Sequence, residues 1–97
     1  MIDVEVHPEA EADHEDAFAW YFERNPQAAT RFEAEFGCAI DFIRARPAMF
    51  PKCDADHHFV LFKRFPYRLI YRIADDKVQV IAIVHAKRRP DYWSSHS

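Results

Sequence analysis

The stretch that decides the fold reads FVLFKRFPYRLIYRI over residues 59–73 and continues as VQVIAIVH over residues 78–85. Side chains along both segments alternate with a period of two, which is typical of β-strands. The pair Asp75-Asp76 between them has the composition of a tight turn. The pattern therefore predicts a three-stranded antiparallel meander, with strands expected at 59–64, 67–73 and 78–85.

The same alternation predicts which side chains share a face of the sheet. Arg68 and Arg72 should lie on one face of the middle strand, with Ile70 between them. In the last strand, regular alternation separates two sets of side chains, namely Val78, Val80, Ala82 and Val84 on one face and Gln79, Ile81, Ile83 and His85 on the other.

The N-terminal half predicts one strand and two helices. Residues 2–6 alternate as a short strand, and residues 9–23 are good helix formers with acidic residues in the first turns. Asn25-Pro26 begins a second helix, because Asn caps a helix N-terminus and Pro suits its first position. That helix should end before Pro47, and the short link makes the two helices an antiparallel hairpin.

These elements predict one α+β domain over residues 1–97, in the order β-α-α-β-β-β, with the helical hairpin packed on a small, mostly antiparallel sheet. The loop at 47–57 separates the helices from the meander. One sheet face should bury the apolar stripe of the second helix, and the other should be open or filled by a partner. The stripe residues expected in the core are Phe32, Phe36, Ile40 and Ile43.

The net charge of −3 conceals an asymmetry between the two halves of the chain. Residues 1–45 carry eleven acidic and three basic side chains, a net −8, whereas residues 46–97 carry ten basic and five acidic side chains, a net +5. The asymmetry indicates either two faces with different partners or two ordinary solvated surfaces. The start of the chain is unlike a signal peptide, and no apolar run approaches the length of about 20 residues that spans a bilayer. We therefore expect a cytoplasmic protein with no membrane partner.

Metal or cofactor chemistry is not expected. Two cysteines do not make a disulfide framework, and Cys38 lies within a helical pattern. Five residues between the second helix and the meander could be metal ligands by type, but their spacing matches no zinc pattern and favours a loop; they are Cys53, Asp54, Asp56, His57 and His58.

Two motifs resemble a known family. They are RFPYRLIYRI at 64–73 and the spacing H-x-x-R-R-P-x-Y-W at 85–93, and Trp20-Tyr21 followed by Asn25-Pro26 agrees with them. Together they resemble the ParE branch of the RelE/ParE toxins. The resemblance implies a compact toxin neutralised by an antitoxin encoded by the adjacent gene, whose C-terminal segment wraps the toxin as helix and strand. It also implies one of two targets, since RelE-like members cut mRNA in the ribosome and ParE-like members are linked to DNA gyrase.

The residues favour gyrase over RNA cleavage. RelE-like nucleases carry two lysines where this chain has Phe59 and Leu61, and apolar side chains cannot stabilise a phosphate. If the chain is nonetheless an endonuclease, its catalytic residues would be drawn from His85, Arg68, Lys87 and Tyr92. A third interpretation is a non-toxic relative that only binds an antitoxin. Members of the ParE branch often have an arginine where this chain has His57-His58.

Contacts to the antitoxin or the target are expected from the basic and aromatic residues of the second half. Bases interleaved with aromatics also suit phosphate contact, so direct binding to nucleic acid stays open. The alternative interpretations are a solvated sheet face for the strand arginines and a tail that packs its rings on the sheet. The candidate binding residues are Arg64, Arg68, Arg72, Arg88, Arg89 and Trp93.

Overall fold

A computed structural model describes residues 2–87. Its elements are β1 (Asp3–Val6), α1 (Pro8–Arg24), α2 (Pro26–Ala45), β2 (His58–Leu61), β3 (Tyr67–Ala74) and β4 (Lys77–His85). The sheet order is β1-β4-β3-β2, with β1 parallel to β4 and the other pairs antiparallel. The predicted α+β class and element order are confirmed.

Both helix N-termini are capped by the residue that precedes a proline. His7 Nδ1 accepts a hydrogen bond from the Glu9 N–H at the start of α1. Asn25 Oδ1 accepts from the N–H groups of Gln27 and Ala28 at 3.1 and 3.3 Å. Asn25 also donates its own N–H to the Tyr21 carbonyl, so one residue ends α1 and begins α2.

The two turns of the meander have different origins. Asp75 and Asp76 both adopt positive φ, 52° and 63°, which gives a hairpin turn whose twist matches that of the flanking strands. β2 ends at Leu61 instead of extending to residue 64, because the chain turns back early. Phe62 donates its N–H to the Tyr67 carbonyl, which closes the turn between β2 and β3.

The core between the helices and the sheet is largely aromatic. Phe32 and Ile43 are fully buried in it, as predicted, but Phe36 and Ile40 are only partly buried. Phe36 faces the seam between the helices, where its ring centroid lies 4.4 Å from that of His14. The apolar stripe of α2 therefore extends beyond the sheet, and Phe36 at its edge packs on α1.

A β-bulge changes which side chains of β4 face the helices. Ile70 pairs with Ala82 and Tyr71 pairs with Val80, so Ile81 is an extra residue in β4. The regular alternation predicted for this strand is therefore wrong after Val80. Beyond the bulge, Ile83 belongs to the core beneath the helices, whereas its neighbours on β4 belong to a separate cluster.

That separate group, here named the second-face cluster, lies on the sheet face away from the helices. Ile70, Ile81, Ala82 and Val84 are at most 1% exposed, and Phe59 packs against them. The expectation that this face would be open or left to a partner is wrong for its apolar centre. The extra apolar residue of the bulge enlarges the cluster, and its members are buried within the chain itself.

Candidate functional site

An apolar groove lies between α2 and the edge strand β2 and is here named the α2–β2 groove. It has a volume of about 490 Å³. Phe42 and Leu61 are 53% and 63% exposed on it, which is high for large apolar side chains. Its lining comprises Arg31, Ala34, Glu35, Cys38, Ala39, Phe42, Phe50, Val60, Leu61, Phe62, Lys63 and Arg64.

The basic end of this groove is organised by Glu35. Its carboxylate accepts hydrogen bonds from the backbone N–H of Lys63 at 2.7 Å and of Arg64 at 3.2 Å. The carboxylate thereby ties α2 to the loop after β2. The exposed side chains of Lys63, Arg64 and Arg31 stand at the rim, so the groove has an apolar floor and a basic margin.

A second, more polar cleft surrounds His85 and is here named the His85 cleft. It measures about 410 Å³. The Tyr67 ring meets His85 edge-on at 5.0 Å, and His85 Nδ1 accepts the backbone N–H of Lys87 at 3.0 Å. Asp13 and Asp16 of α1 line the opposite wall. Acidic, basic and imidazole groups therefore share one cleft.

The bulge positions this cleft. Because Ile81 is inserted, His85 faces the helix side of the sheet together with Ile83. Asp13 Oδ2 accepts the Ile83 N–H at 3.1 Å, which holds α1 against the strand just beyond the bulge. Burial raises the pKa of Tyr21 in the same cleft, and a hydrogen bond with Tyr67 partly offsets the rise.

The two arginines of β3 share one face of the sheet, as predicted, and the structure shows that it is the face away from the helices. The Arg68 guanidinium stands 5.8 Å from the Phe59 ring centroid, and Arg72 Nε donates to Gln79 Oε1 at 2.7 Å. Both side chains border the second-face cluster. Arg68 and His85 are therefore separated by the sheet, and the structure does not bring these two candidate catalytic residues together.

The remaining candidates divide in two. Lys87 joins His85 in its cleft, and Arg64 stands at the rim of the α2–β2 groove. The other candidates lie outside the described residues, so the roles expected of them remain predictions; they are Arg88, Arg89, Tyr92 and Trp93.

His58, the first residue of β2, has a packing role. It is buried, donates from Nδ1 to the Phe50 carbonyl at 2.8 Å, and stacks on Tyr71 with ring centroids 5.1 Å apart. Tyr71 in turn donates its hydroxyl to the Pro47 carbonyl, and burial raises its pKa to about 12. His58 thus joins β2 to the loop that follows α2.

Asp54 organises the rest of that loop. Its carboxylate accepts the N–H groups of Asp56 and His57, both at 2.8 Å, and it also contacts the His57 ring. The Asp56 N–H, followed by the His57 ring, holds the pKa of Asp54 below its usual value. Across residues 2–87, no three His, Cys, Asp or Glu side chains are grouped as metal ligands would be.

Sequence reasoning missed three of these features. Phe42 falls off the buried stripe of α2, and an apolar residue out of phase with its helix is the signal that could have revealed the groove. Asp13 and Glu35 are ordinary surface acids by pattern. Only the packing of each helix against a strand or loop shows that they accept backbone N–H groups.

The fold has a counterpart among solved structures. It is similar to that of a solved chain from the chromosomal ParDE TA system of P. aeruginosa, with a TM-score of 0.77 and 15% sequence identity. The match covers 90% of this chain and 98% of that one. At this identity the likeness shows a shared fold.

The sequence carries the assignment further. Residues 4–90 match the family model described as the ParE toxin of the type II toxin-antitoxin system parDE. The chain belongs to this ParE toxin family, and membership implies an antitoxin partner. No curated protein matches the chain significantly. Among the described residues, neither helix has the length and apolar character needed to cross a membrane.

Proposed function

We infer that this toxin acts by inhibiting DNA gyrase, in the cytoplasm, and that a cognate antitoxin encoded by the adjacent gene neutralises it. The observation that carries this choice is the position of Arg68 and His85 on opposite faces of the sheet. RNA cleavage without a metal needs its acid, base and phosphate-stabilising groups around one bond. Phe59 and Leu61, where nuclease relatives have lysines, add no charge beside Arg68.

The second candidate is a ribosome-dependent mRNA endonuclease. The His85 cleft favours it, because His85 and Lys87 lie together there and an imidazole can act as acid or base near neutral pH. The opposite wall, however, carries Asp13 and Asp16, and two carboxylates repel a phosphate backbone. These two carboxylates therefore make RNA binding in the His85 cleft less favourable than the imidazole alone would suggest.

The α2–β2 groove supports the proposed antitoxin contact. Its apolar floor, with Phe42 and Leu61 exposed, suits the apolar face of an amphipathic segment. The basic margin formed by Arg31, Lys63 and Arg64 favours acidic residues along that segment. Because β2 is an edge strand, a bound segment would also shield an unpaired sheet edge.

Co-purification tests the antitoxin contact. The toxin is co-expressed with the small open reading frame beside its gene, and the wild-type pair should elute as one complex. Phe42→Asp places a charge on the α2 wall of the groove and should strongly reduce binding. Phe22→Asp is the matched control, because Phe22 is similarly exposed but lies on α1 outside the groove. Separate elution of the wild-type pair at micromolar concentration would contradict the pairing.

Induction of the free toxin tests the target. We expect inhibited supercoiling in a gyrase assay and no codon-phased cuts when mRNA 5′ ends are mapped. Arg68→Ala should weaken binding to antitoxin or target by about 1–3 kcal/mol if its charge is paired there. Cuts that disappear in the His85→Ala or Arg68→Ala variants, with gyrase unaffected, would replace this proposal with the endonuclease. No effect in either assay would favour a non-toxic relative.

A further inference from the structure

The β-bulge in β4 lies between two ways of pairing the second half of that strand with β3. In the observed register, Leu69 pairs with Ile83. If the strand continued from Val80 without an extra residue, Leu69 would instead pair with Ala82. The two registers differ by one residue, so every side chain of β4 beyond the bulge would lie on opposite faces of the sheet in the two registers.

Burial of apolar side chains distinguishes the two registers only weakly. Residues 81–84 read Ile-Ala-Ile-Val, and all four are at most 3% exposed, whichever face they line. A shift of one residue would therefore exchange one apolar side chain for another on each face. Register is strongly specified where such a shift would move apolar side chains into solvent, which is not the case here. Another contact must contribute to the choice.

A contact from α1 does distinguish the two registers. Asp13 Oδ2 accepts the Ile83 N–H at 3.1 Å, so this N–H points away from β3 and toward the helix. The Ala86 N–H, three residues further along, donates in the opposite direction to the Pro66 carbonyl just before β3. Because successive N–H groups of a strand point to alternate edges, a shift of one residue would turn the Ile83 N–H toward β3. Asp13 can accept it only in the observed register.

We propose that Asp13 selects the register of β4 and thereby decides on which face of the sheet His85 lies. In the observed register, the His85 ring lines its cleft and meets Tyr67 edge-on. In the other register, His85 would lie diagonally across from Arg68, on the face away from the helices. Asp13 is therefore a positioning residue, which acts on His85 through the pairing of the strand. The inference holds whether or not the target is gyrase.

The neighbours of the imidazole differ between the two registers. In its cleft, His85 lies opposite the carboxylate groups of Asp13 and Asp16. On the other face it would lie beside the Arg68 guanidinium, at the margin of the second-face cluster. One hydrogen bond to a backbone N–H thus separates the two candidate catalytic residues, His85 and Arg68, and places acidic instead of basic groups around the imidazole.

Nuclear Overhauser effects between the α-protons of β3 and β4 report the register directly. In the wild-type chain, we expect a contact between the α-protons of Leu69 and Ile83, because the α-carbons of a non-hydrogen-bonded antiparallel pair approach to about 4.5 Å. Asp13→Ala removes the acceptor and should shift the equilibrium toward the other register about tenfold or more. A contact between the α-protons of Leu69 and Ala82 should then appear.

Two matched variants separate this role from a general loss of packing. Asp13→Asn keeps an acceptor oxygen and should retain the contact between Leu69 and Ile83. Asp16→Ala removes an exposed carboxylate from the same helix and the same cleft, and it should leave the register unchanged. Absence of any new α-proton contact in Asp13→Ala, or the same new contact in Asp16→Ala, would overturn the proposal.

Deleting Ile81 from the Asp13→Ala chain provides an independent test, because the strand then has no extra residue. When β4 continues regularly from Val80 in that chain, Leu69 pairs with Ile83, so their α-proton contact should return. If Asp13→Ala alone does not fold, the same deletion should restore a folded chain with this contact. A chain that stays unfolded, or that folds without the contact, would overturn the proposal.

Discussion

Replacing Phe32 with alanine should remove the centre of the aromatic core. Phe32 of α2 is fully buried, and its ring centroid lies 5.3–5.7 Å from those of five other rings, contributed by α1 and the β2–β3 region. Those rings belong to His14, Tyr21, Phe62, Phe65 and Tyr67. One truncation therefore leaves a cavity where every layer of the fold meets.

The expected loss follows from this environment. Truncating a buried Phe to Ala costs about 3–5 kcal/mol, and the many ring contacts place Phe32 near the upper end. Small domains have about 5–15 kcal/mol in total. With a urea m-value of about 1.5 kcal/mol/M, the unfolding midpoint should fall by about 3 M. Circular dichroism of the purified toxin during urea titration measures the midpoint directly.

Phe22→Ala supplies the matched control, because the same atoms are removed from a ring that is 54% exposed on α1. Its cost should stay within about 1 kcal/mol. Phe36→Ala should fall between the two, since Phe36 is partly buried at the helix seam. Similar losses for Phe32→Ala and Phe22→Ala, or a loss below about 1.5 kcal/mol at Phe32, would refute the packing argument.

Three further changes test single interactions. Asp13→Ala leaves the Ile83 N–H without its acceptor and should cost about 1–3 kcal/mol in urea unfolding, whereas Asp13→Asn, which keeps an acceptor oxygen, should cost less. Tyr71 has a folded pKa of about 12 against 10.0 in the unfolded chain, so its contribution to stability is complete below pH 10 and is lost as pH rises through 12. Thermal melts should therefore lose more stability over that pH range in the wild type than in Tyr71→Phe. Asp76 has a positive φ, which glycine adopts without strain. Asp76→Gly should therefore raise the free energy of unfolding in urea by about 0.5–1 kcal/mol, and a decrease would show that the aspartate side chain stabilises the turn.

Local chemistry explains why much of the fold could be predicted. A cap or a turn depends on residues adjacent in sequence. Asn25-Pro26 therefore identifies the boundary between the two helices, and Asp75-Asp76 identifies the turn of the last hairpin. Strand periodicity likewise reports burial of one face over a few residues. These signals yield the element order and, with the two family motifs, the ParE family that residues 4–90 match.

The candidate sites depended on contacts between residues far apart in the chain. Glu35 meets the loop after β2, and Phe42 joins Leu61 on one groove, although nothing in their local sequence pairs them. A groove is a property of two elements side by side. The sequence reveals such a residue only where it departs from the periodicity of its own element, as an apolar side chain does when it lies outside the buried stripe of its helix.

The sequence by itself determined the elements, their order and the family, because capping, turns and periodicity are local. Only the tertiary structure decided where β4 changes phase, since Ile81 looks like one more residue of an unbroken apolar run. That single inserted residue turns His85 toward the helices and leaves Arg68 on the opposite face. A bulge is set by pairing with the neighbouring strand, and Asp13 then holds it through the Ile83 N–H. Whether two candidate residues share a site was therefore decided by strand register, which no local pattern in this chain records.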